Sequence, residues 1–198
     1  MAIQERRERE RAERHQLIIR IARELAEAEG WEAVTTRRLA ERIEYSQPVL
    51  YSHFAGKDAI VAAVALEGFA ELAADLRAAT REEAGPVEAF RAVAGRYLAF
   101  AAANPALYDA MFTLATDLPF GRPDSPAALK EGFAALAGPV AEVAGAEDPE
   151  PFTEVVWAAL HGLATLGRSG RLRPDHAEYR LELLVERMLG KEAAPERR

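Results

Sequence analysis

At 198 residues, with 49% apolar and 29% charged side chains, the chain is long enough to bury a sizeable core and too apolar to be disordered. It contains no cysteine, which excludes a disulfide framework, a thiolate metal site and a cysteine nucleophile. The net charge of −7 is unevenly spread, with 11 Lys/Arg against 10 Asp/Glu up to Lys57 and 14 against 22 beyond it. A nucleic-acid partner is therefore not excluded, because phosphate contact depends on basic groups within a Debye length of about 8–10 Å.

The first residues, MAIQERRERERAERH, are too charged for a signal peptide. No apolar run is long enough to span a bilayer, so a soluble, cytoplasmic protein is expected. Residues 5–14 alternate Arg and Glu, which predicts a solvated extension of the first helix. The other reading is a basic arm reaching DNA through Arg6, Arg7, Arg9 and Arg11. Leu17, Ile18, Ile21, Ala22 and Leu25 then recur at helical spacing, and Gly30 is a natural stop.

A second, short helix is predicted from the Thr35-Thr36 pair, where a hydroxyl can cap free N–H groups, with Leu39, Ala40 and Ile43 turned inward. A third follows Glu44-Tyr45. Ser46 is its expected capping residue, Pro48 falls in its first turn, and Leu50 and Phe54 form its buried stripe. Ala55-Gly56 breaks the chain, and Lys57-Asp58 opens a long helix to about Ala79. Every later segment reads as helix, interrupted at Gly85-Pro86, Asn104-Pro105, Asp117–Ser125, Gly145–Pro151 and Arg168–Pro174. The expected fold class is all-α. Domain boundaries are expected at 1–57 and 58–198.

Two short helices joined by a tight turn form a helix-turn-helix, in which one helix enters the major groove while the other braces it. The outward face of the third helix and its flank would carry Gln47, Pro48, Val49, Tyr51, Ser52 and His53. Gln47 can pair with adenine, Val49 or Pro48 can touch a thymine methyl, and Tyr51, Ser52 and His53 can donate to phosphates. Thr36, Arg37 and Lys57 are candidates for backbone contact. Exposed Gln, Tyr and His also occur on ordinary surfaces; it is the whole combination at this spacing that points to DNA.

The run T-x-R-x-L-A, then S-x-x-x-L-Y-x-x-F, then G-K-acidic resembles the DNA-binding domain of the TetR family of bacterial regulators, over roughly residues 10–60. The resemblance puts Thr36, Arg37, Gln47, Pro48, Val49, Tyr51, His53 and Lys57 on DNA-contacting positions. It implies a helical-bundle C-terminal domain that dimerises and encloses a small-molecule pocket. Two positions depart from the pattern. Glu44 stands where the family usually has glycine, and Tyr45 where it has a small aliphatic residue. Either the turn changes conformation or Glu44 accepts strain.

For the ligand, Tyr97, Phe100, Tyr108, Met111 and Phe112 form an aromatic, sulfur-bearing group across a Pro turn. Plain core is the usual role of such a group; the other reading is a pocket lining with the two tyrosine hydroxyls as polar tips. Trp157, His161 and Gly162 give W-x-x-x-H-G, which resembles a motif of one TetR subgroup, and Trp157 and His161 are further ligand candidates, although a lone histidine on an apolar face is more often a satisfied core residue. The other histidines, His15, His53 and His176, are not spaced to join His161 in a metal site on one helix, so no metal is expected. No phosphate loop, H-E-x-x-H, G-x-S-x-G or paired E-x-x-H is present, so neither an enzyme nor a cofactor is expected. The last two helices, roughly 150–166 and 176–189, carry apolar faces wide enough for a two-fold four-helix homodimer interface. The expected function is a repressor released from a palindromic operator by a small-molecule effector of unknown identity. The alternative is a helical dimeric interaction or ligand-binding protein without regulated DNA binding.

Overall fold

The computed structural model describes residues 2–81, 83, 85–114, 116–145 and 147–190; the last eight residues of the expected C-terminal domain lie outside it. All regular structure among the described residues is helical, with no strand, as the periodicity of the sequence requires. In chain order they form α1 (Ala2–Glu29), α2 (Thr36–Arg42), α3 (Gln47–Tyr51), α4 (Lys57–Ala79), α5 (Pro86–Ala103), α6 (Pro105–Phe112), α7 (Ala127–Val143), α8 (Pro149–Arg168) and α9 (Ala177–Met188). Short 3₁₀ turns occupy Trp31–Ala33 and Pro174–His176.

Two compact units result. One comprises the described residues of 1–69 and 104–126, the other those of 70–103 and 127–198. Helix α4 contributes residues to both.

In the first unit, Ile18, Ala22 and Leu25 of α1, Leu39 of α2, Leu50 of α3, and Ile60 and Val64 of α4 are all buried without solvent exposure. Each such aliphatic side chain contributes about 1.5–3 kcal/mol relative to the exposed state. This is enough to hold a five-residue helix that could not persist alone. Helix α1 ends at Gly30, whose φ of 82° suits only glycine, and Gly30 N donates to Ala26 O at 2.8 Å.

Helix α6 returns to this unit and is capped from outside itself. Its N-cap, Asn104, makes no side-chain capping bond and instead accepts from Arg23 at 3.0 Å. The Glu27 carboxylate of α1 accepts from the N–H groups of Ala106 and Leu107, at 3.1 and 2.9 Å. A carboxylate there satisfies two orphan donors and complements the positive end of the helix dipole. Trp31, 7% exposed, donates its indole N–H to Ala106 O at 2.7 Å. Gly68 of α4 permits the close pass of α6, since a Cβ there would lie 2.7 Å from Met111 Sδ.

The second unit packs α5, α7, α8 and α9 around Phe90, Val93, Tyr97, Val140, Val156, Leu160 and Val185, each at most 1% exposed. Arg91 of α5 grips Glu182 of α9 with its Nε 3.1 Å from both carboxylate oxygens. Such a forked pair fixes orientation more than it adds stability at a solvated site.

Candidate functional site

Helix α2 begins as its sequence predicts: Thr35 is the N-cap, and its hydroxyl accepts from Arg38 N at 3.2 Å. The turn that follows resolves the question of Glu44. Its φ is 58°, the one positive value among described non-glycine residues. Tyr45 N donates to Ala40 O at 3.1 Å, the six-to-one bond of a Schellman motif. The glycine geometry is kept and Glu44 carries its strain, worth about 1–2 kcal/mol for an L-residue. Glu44→Gly relieves that strain but gives the unfolded chain more freedom, so the expected net gain is at most about 1 kcal/mol. Thermal unfolding should show a rise of about 2–4 °C; a fall would mean that the Glu44 side chain has a stabilising role.

Ser46 occupies the N-cap of α3 but makes no side-chain capping bond, contrary to expectation. The reason lies in the next residues. Pro48, at the second helical position, has no N–H to offer, and Val49 N is already bonded to Ser46 O at 3.0 Å. Regular helix also stops at Tyr51 rather than Phe54. His53 N and Phe54 N both close onto Leu50 O at 3.0 Å, which continues the chain as a tight turn and delivers Phe54 to the core.

With Leu39, Ile43, Leu50 and Phe54 buried, the opposite side of α2–α3 is left outward. Gln47, Pro48 and Ser52 are exposed, Val49 is half-buried, and Tyr51 is 52% exposed. Thr36 Oγ1 lies 3.5 Å from the Tyr51 hydroxyl, bridging the two helices. Arg37 is exposed and pairs with Glu41 at 3.0 Å, a surface contact worth roughly 0.3–0.5 kcal/mol that a phosphate can displace. The Ser52 hydroxyl donates to Val49 O at 2.6 Å, leaving its lone pairs rather than its proton toward solvent.

Two candidates are more enclosed than the sequence suggests. His53 is half-buried, and burial first, then the charges of Arg11, His15 and Arg14, hold its imidazole below the usual histidine range. Its ring lies 6.1 Å from that of His15, which in turn stacks on Phe54 at 4.4 Å. Lys57 is also half-buried and donates to Trp31 O at 2.6 Å, so one of its three protons is committed inside the unit. Arg38, outside the expected set, clamps Glu29 through two 2.9 Å hydrogen bonds and ties α2 to α1. That pairing draws the exposed Glu29 carboxyl below its ordinary range, the hydrogen bond being the main cause. Only an i,i+9 charge pair signals it in the sequence, and such pairs are commonplace.

The seven ligand candidates divide between the units. Tyr108, Met111 and Phe112 belong to the first, where Tyr108 meets Phe112 at 4.8 Å and Phe112 meets Phe69 edge-on at 5.2 Å. Phe120, from the following loop, adds to this cluster at 5.7 Å from Phe69, and neither phenylalanine carried a helical-period signal that would have joined it to the group. Tyr97, Phe100, Trp157 and His161 belong to the second unit. There Trp157 Nε1 donates to the Tyr97 hydroxyl at 3.0 Å, and half-buried His161 lies 3.4 Å from Thr165 Oγ1. Burial, with a smaller push from Arg168, lowers the His161 pKa. An open hollow of about 620 Å³ along α1 is lined by Arg20, Arg23, Glu24, Glu27 and Ala28, none of them a ligand candidate. Among the described residues no group of three or more His, Asp or Glu side chains could hold a metal ion, and no helix is long and apolar enough to cross a membrane.

Comparison with known proteins sets this geometry in context. Residues 18–64 match the model of bacterial regulatory proteins of the tetR family, and residues 90–191 match that of the tetracyclin repressor-like C-terminal domain. The chain is 52% identical over 48 residues to the tetracycline repressor protein class C of Escherichia coli, covering 24% of this chain and 22% of that protein. It is 32% identical over 94 residues to the uncharacterized HTH-type transcriptional regulator YobS of Bacillus subtilis, covering 48% of this chain and 49% of that protein. The matched stretches thus span at most about half the length of these curated relatives. A protein with unknown function from Rhodococcus sp. RHA1 shares the fold with a TM-score of 0.74 at 24% identity, covering 89% of this chain and 93% of the other. The helix-turn-helix match and the C-terminal match, in that order along one chain, make this protein a member of the TetR family.

Proposed function

We propose that the chain is a sequence-specific DNA-binding transcriptional regulator, acting in the cytoplasm as a homodimer whose operator binding is released by a small-molecule effector. The observation that carries this reading is the outward side of α3. Gln47, Pro48 and Tyr51 stand in solvent while Leu50 and Phe54 pin the opposite side to the core. The DNA-binding domain is assigned to 1–57 and the ligand-binding and dimerisation domain to 58–198. In this reading Gln47, Pro48 and Val49 touch base edges, and Thr36, Arg37, Tyr51, His53 and Lys57 touch the backbone, with Ser52 joining them once its hydroxyl turns from Val49 O to a phosphate.

Dimerisation through α8 and α9 is supported by apolar surface left over in the single chain. Val155 and Leu166 of α8 are 56% and 40% exposed, and Tyr179 of α9 is 66% exposed. Val155, Ala159, Gly162 and Leu166 share one helical stripe, and a Cβ built on Gly162 meets nothing within 4 Å. A partner helix can approach closely there. Two-fold pairing would set two recognition helices in successive major grooves, about 34–36 Å apart.

For the effector, an apolar or aromatic molecule suits the buried aromatic residues, with Trp157, Tyr97 and His161 supplying polar tips in one unit and Tyr108, Met111 and Phe112 lining the other. An effector that favours a mismatched head spacing weakens DNA binding, and DNA then weakens effector binding by the same factor. Repression is proposed as the outcome, with no enzymatic step. Selection of bound duplexes from a random pool tests the reading: it should return a palindrome with half-sites about 10 base pairs apart, centre to centre, or a multiple of that. A chain that dimerises but enriches no sequence is instead a helical interaction or ligand-binding protein.

A further inference from the structure

The Arg/Glu-rich start of α1 looks evenly mixed in sequence, yet the helix sorts it. Helix α1 runs unbroken from Ala2, so residues three and four apart share a side. Arg7, Arg11 and Arg14 fall on the stripe that continues into His15, Ile18, Ala22 and Leu25, the side that faces the helix-turn-helix. Glu5 and Glu13 fall on the opposite side together with Arg6 and Arg9, and Arg6 reaches round to Glu10 at 3.1 Å. Glu8 and Glu10 border the basic stripe on its two edges, where Glu8 accepts from Gln4 at 3.4 Å and Glu10 is held by Arg6.

The basic stripe is fixed to the end of the recognition helix. Arg11 donates to Ser52 O at 3.3 Å, and His15 stacks on Phe54. Arg11 and Arg14 lie close enough to His53 that their charges add to burial in lowering its imidazole pKa. Arg7 and Arg11 are exposed and Arg14 is half-buried. From Arg7 to Arg14 the helix rises about 10 Å, a length over which one DNA strand presents about three phosphates.

We propose that the Arg7–Arg11–Arg14 face of α1 is a second DNA-contacting element, a helical arm that lies along the phosphate backbone beside the groove entered by α3. This rests on the DNA-binding reading of α3 and adds a sequence-independent surface to it. The guanidiniums of Arg7 and Arg14 contact phosphates, while Arg11 also sets the register of the arm against Ser52. Arg6 and Arg9 face away and contribute nothing.

The test uses the full chain and the duplex that the wild-type protein selects from a random pool. R7Q/R14Q and R6Q/R9Q remove equal charge from opposite sides of one helix, and neither touches Arg11. The R7Q/R14Q slope of log affinity against log salt should become shallower by about 2 per head, with affinity at 0.1 M salt down about tenfold or more. R6Q/R9Q should leave the slope within about half a unit of wild type. R7K/R14K, which keeps the charge, should restore it, separating loss of phosphate contact from loss of folding. Equal effects from the two glutamine pairs, no effect from either, or no rescue by lysine would each overturn the arm. Salt-sensitive wild-type binding with an unchanged R7Q/R14Q slope overturns the arm alone. A wild-type chain that selects no duplex overturns the reading of α3 along with it.

Discussion

Trp31→Ala is expected to lower stability by about 3–5 kcal/mol, the range for truncating a buried tryptophan. Trp31 is only 7% exposed and joins three pieces of the first unit. Its carbonyl receives Lys57 Nζ at the start of α4, its indole N–H reaches Ala106 O, and Ala106 N is held in turn by Glu27 of α1. Removing the ring leaves a cavity and takes the indole donor from Ala106 O, on a residue 7% exposed, and the two losses add. Trp31→Phe keeps most of the apolar contact and discards only the hydrogen bond, so it should cost about 1–2 kcal/mol. Denaturant midpoints measured at one fixed protein concentration would compare the two, since a dimer's apparent stability depends on concentration. A Trp31→Ala cost under about 1 kcal/mol, or a Phe variant as damaged as the Ala variant, would remove Trp31 from its central place.

This junction was invisible in the sequence, and the reason is physical. Helical periodicity reports which residues turn inward, and it located Ile18, Leu25, Leu39, Leu50 and Phe54 correctly because burial of a stripe is a local property. Caps were partly legible for the same reason: Thr35 closes α2 as its residue type predicts. Ser46 fails as a cap because Pro48 removes the donor, a consequence that could have been drawn from the two residues together. Glu27 capping α6 across nearly eighty residues, and the Trp31 indole donating to Ala106 O, have no local signature at all. Nor did the charge run at the start of α1 show its sorting until the helix was known to be continuous to Ala2. The candidate DNA face was legible in composition, but the enclosure of His53 and Lys57 was not, because it depends on α1 and on the turn at Trp31.

That enclosure changes what Lys57→Ala should do. The ammonium anchors the turn and keeps two further protons to donate, so its loss should weaken binding to all duplexes alike, flatten the salt dependence and cost some stability. Gln47 has no such double role. It is exposed at the first position of α3 and makes no structural contact with the core. Gln47→Ala should leave the unfolding midpoint unchanged and relax base preference at one symmetric pair of operator positions, by about 1–3 kcal/mol per site. Repeating the duplex selection with Gln47→Ala therefore bears most directly on whether the outer side of α3 reads bases. The expected result is the wild-type palindrome with one degenerate position in each half-site. A palindrome unchanged at every position would contradict it.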